Sequence, residues 1–147
     1  MSWLRILLFP LCLLLAAPMV WAENSTRGNG YVVHHNAFGA DFLSPEIAAR
    51  YGIQRSRNQG LLNVSIIKET PGATGQPVTA LVRVQANNLA GLVKTIELRE
   101  IREQDAIYYI GEFPVIDGEI VNFNLEVTPA GESQSIRAKF SQDFYTR

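Results

Sequence analysis

Two histidines stand side by side in the stretch GYVVHHNAF, residues 30–38, and the chain has no others. Imidazole is the commonest metal ligand and the usual acid or base near neutral pH, so an adjacent pair raises both possibilities. The surrounding residues have strand character, however, and successive strand residues point to opposite faces. Without a bulge, His34 and His35 cannot hold one ion together. The expectation is one histidine at the core or the sheet edge and the other at the surface, with no bound metal and no cofactor. A single histidine, His34 in particular, could still act with an acid or an arginine from elsewhere. No GxSxG, HExxH or GxxxxGK[ST] string is present to supply known catalytic machinery.

Two further clusters carry charge. The run ELREIREQD interleaves Glu97, Glu100, Glu103 and Asp105 with Arg99 and Arg102. Opposite charges two apart on one strand face, or facing across a hairpin, form solvated pairs and discourage pairing of an exposed edge, which explains the run without catalysis. The segment YGIQRSRNQG differs, because Arg50, Arg55 and Arg57 crowd together with no acid between Glu46 and Glu69. Planar guanidinium groups held on a fixed loop recognise carboxylates and phosphates bidentately, so these three arginines, with His34, are the candidate binding residues.

These side chains must be positioned by strands. Seven segments have strand character, at about 31–38, 60–69, 78–88, 92–102, 106–113, 119–128 and 135–145. In EIVNFNLEVT the inward set is Val121, Phe123, Leu125 and Val127; in SIRAKFSQDF it is Ile136, Ala138, Phe140 and Phe144; in LLNVSIIKE it is Leu62, Val64 and Ile66. AIYYIGEF is apolar on both faces, as a central strand would be. One stretch departs from this period. In SPEIAARYG, Ser44 can cap a helix, Pro45 suits its first position, Glu46 complements the dipole and Gly52 can end it. Ile47 and Tyr51 would share the packed face, with Ile53 closing the end against Ala48. The chain is therefore expected to be mainly β, an immunoglobulin-like antiparallel β-sandwich of about seven strands with one short helix between the first two; an open barrel is the alternative.

Residues 1–22, MSWLRILLFPLCLLLAAPMVWA, place Arg5 before a leucine-rich stretch broken by Pro10 and Pro18 and end in small residues suited to cleavage after Ala22. This pattern predicts a signal peptide and export, with no span left in the membrane after cleavage. Residues 23–30, ENSTRGNG, read as a flexible lead, and residues 31–147 as one domain. Cys12, Met1, Met19, Trp3 and Trp21 all fall in the leader, so the remaining 125 residues contain no sulfur and no tryptophan. Disulfides, thiolate chemistry and the Cys and Trp marks of antibody domains are thereby excluded. Without Arg5 there are 12 Lys+Arg against 14 Asp+Glu, and no basic field exists to attract nucleic acid. Carbohydrate binding by stacking lacks a tryptophan platform, leaving only Tyr108 and Tyr109 to substitute.

The strings YVVHHNAF, FLSPEIAARYGIQRSRNQGLLNVSI and REIREQDAIYYIGEFPV resemble domain-of-unknown-function family 4426, exported proteobacterial proteins, over nearly all of residues 28–145. The resemblance implies a Gram-negative periplasm and a small β-sandwich, and it carries no activity with it. Where the family pattern has His-Tyr-Asn, this chain has His34-His35-Asn36, which singles out His34. The function expected is that of a non-catalytic periplasmic interaction or binding module, its partner another periplasmic protein or a small acidic ligand. The alternative is a ligand-binding protein or new enzyme around His34 and the arginine-rich loop.

Overall fold

The structure, a computed structural model, describes residues 24–147. The expected signal segment, residues 1–22, lies outside the described residues. Ten strands form two antiparallel sheets. The larger has the order β1 (Ser25–Gly28), β2 (Tyr31–Gly39), β3 (Gln59–Lys68), β8 (Ala106–Pro114), β7 (Arg99–Glu103), with β4 (Gln76–Pro77) also on β3. The smaller has the order β10 (Ile136–Phe144), β9 (Glu119–Pro129), β5 (Ala80–Asn88), β6 (Val93–Lys94). The sheets do not close into a barrel. Among the described residues no helix is long and apolar enough to cross a membrane.

Strict alternation builds the main core. Along β9 every second residue is buried, and Val121, Phe123, Leu125 and Val127 meet Val33, Leu62, Val64, Ile66 and Phe113 of the opposite sheet. Burying a Val, Leu, Ile or Phe side chain contributes about 1.5–3 kcal/mol, so this layer dominates stability in a chain without disulfides. The inward sets expected on β3, β9 and β10 are those observed, and β8 is flanked on both sides, by β3 and β7.

Two spans differ from expectation. Residues 23–30 were expected to be a flexible lead, yet Ser25–Gly28 pair in register with Tyr31–His34 as β1. The cause is Asn29-Gly30, both at positive φ (53° and 82°), a two-residue turn whose twist matches that of its flanking strands. The segment 92–102, expected as one strand, divides into β6 on the small sheet and β7 on the large one, with Ile96 and Leu98 of the crossing stretch packed on the core.

The helix, α1 (Pro45–Tyr51), follows a 3-10 turn (Ala40–Phe42) and has the capping its sequence dictates. Ser44 Oγ accepts from the Ile47 amide at 3.3 Å, and Gly52 turns left-handed at φ 65°. The Ile53 amide returns to the Ala48 carbonyl at 2.8 Å and the Gly52 amide to that of Ala49 at 3.2 Å, closing a Schellman motif. Tyr51 packs on the sheet and Ile53 closes the end against Ala48 as expected, but Ile47 is 39% exposed at the rim and Ala48 is the buried residue of the helix, because a seven-residue helix lying close on a sheet brings its small residue to the contact.

Candidate functional site

Strand alternation decides what lies under α1. On the large sheet Val33, His35 and Ala37 of β2 face the opposite sheet, so Phe38 points outward, as do Leu61 and Asn63 of β3, Tyr108 and Ile110 of β8 and Ile101 of β7. Phe38, Leu61, Ile101, Tyr108 and Ile110 pack with Ala40, Leu43, Ala48, Tyr51 and Ile53 as a second, smaller core outside the sandwich.

The helix is tied to β7 by polar contacts that fix its tilt. Arg50 Nη1 meets Glu103 Oε1 at 2.5 Å, the Tyr51 hydroxyl donates to the other Glu103 oxygen, and Arg99 Nη2 donates to the Tyr51 carbonyl at the helix end. Arg99, Glu103 and the Glu100–Arg102 pair (3.2 Å) thus account for most of the charged run as structure at an edge strand.

Helix and sheet do not close completely. Between them lies a groove of about 360 Å³, walled by Phe38, Leu43, Ile47, Tyr51, Ile53 and Tyr108, with Asn63 and Glu103 its polar groups. The Asn63 Oδ1 atom is buried and has no hydrogen-bond partner among the described residues. A buried acceptor left unmade costs about 1–3 kcal/mol, and nearly all such groups in folded proteins are paired. A mostly apolar concave site with few polar groups, one of them unpaired, has the composition of a small-molecule pocket.

A second cleft, about 430 Å³, opens where the sheets part between β1–β2 and β10, lined by Thr26, His35, Asn36, Lys139, Ser141 and Gln142 among others. His35, 4% exposed, stacks on Phe140 (centroids 4.6 Å apart, planes 20° apart), which stacks on Phe123 (4.7 Å, 14°). Its Nε2 lies 3.1 Å from Thr26 Oγ1, and its Nδ1 is buried with no partner among the described residues. Burial, and then the neighbouring His34, push its pKa below the ordinary value, against a smaller opposing effect from a backbone hydrogen bond. No carboxylate lines this cleft to orient the ring for acid–base work.

The predicted residues are dispersed. His34 is exposed on the outer face of β2 while His35 is buried on the inner face, the division alternation requires. Arg50 is engaged by Glu103, and Arg55 donates to the Asp41 carbonyl at 3.0 Å. Arg57 is exposed, and neither it, the other two arginines nor His34 lines the groove or the histidine cleft. Asn63 went unrecognised from sequence because a lone polar residue in LLNVSII marks only an outward position. What covers that position depends on the helix, and its one local signal is a carboxamide between Leu61 and Ile67 on a face otherwise half apolar.

Comparison with known proteins gives a consistent picture. The model of a family described as "Domain of unknown function (DUF4426)" matches residues 25–147. A crystal structure of a DUF4426 family protein from Pseudomonas aeruginosa PAO1 superposes with a TM-score of 0.69 at 31% identity, covering 85% of this chain and 98% of that one. No curated protein matches.

Proposed function

The chain belongs to the DUF4426 family, and from that premise we propose that it is an exported periplasmic binding module, without catalytic activity, whose site is the groove beneath α1. The observation that carries this reading is the buried Asn63 Oδ1, without a partner among the described residues, in a groove whose other polar group, Glu103, is already held by Arg50 and Tyr51. The ligand is a small, largely apolar molecule, planar enough to lie between Phe38, Tyr51 and Tyr108, that presents one N–H or O–H to Asn63. Export is supported by the Arg5–leucine–Ala22 leader pattern. An immunoglobulin-like form of the sandwich is supported by its two antiparallel sheets and by the crossing of the chain between them at 94–99. The reading based on His34 and the arginine-rich loop has less support, since Arg50 and Arg55 already hold internal partners.

A matched pair of probes tests the groove. Indole carries the ring and the donor; indene has nearly the same shape and no donor. Titration followed by tyrosine fluorescence is expected to show indole binding at least tenfold tighter than indene, a difference of about 1.4 kcal/mol, within the range for satisfying a buried acceptor. In Asn63→Leu the preference should vanish. Equal affinities in the native protein, or no binding of either probe, would overturn the assignment.

A further inference from the structure

The outer face of the small sheet carries a second, chemically opposite surface. Strand register aligns side chains there in rows. Arg83 on β5 stands opposite Glu126 on β9, and Glu126 opposite Arg137 on β10; in the next row Gln85 faces Asn124, and Asn124 faces Lys139. All six line one shallow depression of about 490 Å³. Directly opposed unlike charges ordinarily pair across strands. Here neither arginine makes an ion pair with Glu126, and Arg83, Arg137, Lys139, Gln85 and Asn124 make no side-chain hydrogen bond to any described residue.

The charge is also segregated. Three of the twelve cations of residues 23–147 and one of its fourteen acids lie in this depression, leaving nine against thirteen elsewhere, so the depression is positive on a chain that is otherwise acidic. Two strand spacings put the backbones bearing Arg83 and Arg137 about 10 Å apart, and two residues along β10 put Arg137 and Lys139 about 7 Å apart. Three cations at those separations match carboxylates on successive rings of an oligosaccharide better than one compact anion. Gln85 and Asn124, in the row beside Arg83 and Arg137 and in line with Lys139, each offer a donor and an acceptor, which is what a hydroxyl-bearing ring requires. Tyr108 and Tyr109, the aromatic substitutes considered for carbohydrate stacking, take no part: one lines the helix groove and the other is buried in the core. Recognition here is by charge and hydrogen bonds.

We propose that the outer face of the four-stranded sheet binds an acidic saccharide, its carboxylates held by Arg83, Arg137 and Lys139 and its hydroxyls by Gln85 and Asn124. The site is separate from the groove under α1 and stands or falls independently of it. Calorimetric titration of the exported protein with trigalacturonate tests it, alongside neutral maltotriose and a hexaglutamate peptide, each at 50 and 200 mM salt. Trigalacturonate should bind, weaken at least fivefold between the two salt concentrations, and perturb the side-chain amide resonances of Gln85 and Asn124. Arg83→Gln with Arg137→Gln, both exposed and so expected to leave the fold intact by circular dichroism, should lower affinity at least tenfold. Lys139→Gln should do so by a smaller factor. Absence of binding at millimolar trigalacturonate, equal binding of maltotriose, tighter binding of hexaglutamate, or resonance shifts confined to another face would each overturn the proposal.

Discussion

Lys94 and Glu119 form a buried ion pair, and removing one partner should cost far more than removing both. Their side chains are 5% and 3% exposed and 2.6 Å apart. Glu119 also accepts from Asn88 Nδ2 at 2.9 Å and from the Ile116 amide at 3.0 Å, while Lys94 Nζ donates to the Pro114 carbonyl of the opposite sheet at 3.0 Å. In Lys94→Met the carboxylate keeps two donors but loses its counter-charge; in Glu119→Leu the ammonium keeps one carbonyl. Each single change leaves an uncompensated buried charge, for which about 3–5 kcal/mol is expected. The double variant buries no charge and loses only the neutral partners of Asn88, Ile116 and Pro114, about 1 kcal/mol apiece before the gain from added apolar contact. It should therefore lose about 1–3 kcal/mol, less than the two singles together and no more than either alone. Urea unfolding is the assay, followed by circular dichroism because residues 23–147 contain no tryptophan; at about 1–3 kcal/mol per molar urea, each single should lower the midpoint by roughly 2 M. The pH dependence adds a sign. Burial raises the Glu119 pKa, but its bonds to Lys94, Ile116 and Asn88 outweigh this and hold it below 4.5. Its contribution is thus present above pH 4.5 and lost as pH falls toward the depressed value. Lys94→Met removes the hydrogen bond and the charge that do most to lower this pKa, so the loss of stability toward acid should be smaller in that variant than in the native protein. Singles costing under about 1 kcal/mol, or a double equal to the sum of its singles, would refute the picture of a desolvated, coupled pair.

Other expectations are as direct. His35, whose pKa is lowered on folding, makes the native state bind fewer protons than the unfolded chain, so stability should fall as pH drops below about 6.5, by at most 1.4 kcal/mol per pH unit, and level off beneath the folded value. His35→Gln should remove that slope, as urea midpoints at pH 7.5, 6.5 and 5.5 would reveal. Ser44→Ala deletes the N-cap bond and should cost about 0.5–2 kcal/mol. Gly60→Ala would place a Cβ atom 2.5 Å from the Phe113 ring, which is fully buried and cannot yield, and a loss of about 1–3 kcal/mol or more in thermal or urea unfolding is expected. Intact-mass measurement of the exported protein should give a chain beginning at Glu23.

What could be read from sequence was what local chemistry decides. Ser44, Pro45 and Gly52 act on their own backbone, so the helix was legible to within a residue, and strict alternation fixed the inward sets of β9 and β10. β1 was hidden because Ser25–Gly28 is polar; only the Asn29-Gly30 turn between it and β2 announced the hairpin. The division of 92–102 depends on Lys94 being drawn inside by Glu119, twenty-five residues away, and a buried lysine gives no sign of itself in a strand pattern. The two histidines were correctly assigned to opposite faces, but alternation cannot say which face is the core. The groove was illegible because it exists only where a helix from one part of the chain overlies outward residues from four strands.

The crossing of the chain from β6 to β7 has a mechanical consequence. On that lateral edge the two sheets are joined covalently by residues 95–98, whereas on the opposite edge β1 and β2 meet β10 only through side-chain contacts, among them Gly28 against Ile136 and the His35–Phe140 stack. With further crossings at 78–79 and 115–118, the chain links the sheets at three places, and the edge at His35 is the one no chain crossing closes, a lip facing the crossover. The softest opening of the sandwich separates β1 from β10 while β3, β8 and β9 stay paired, so amides of Ser25–Gly28 and of the outer edge of β10 should exchange with solvent well before those of β9. A proton taken up by His35 would act at the lip, where the leverage on that opening is greatest.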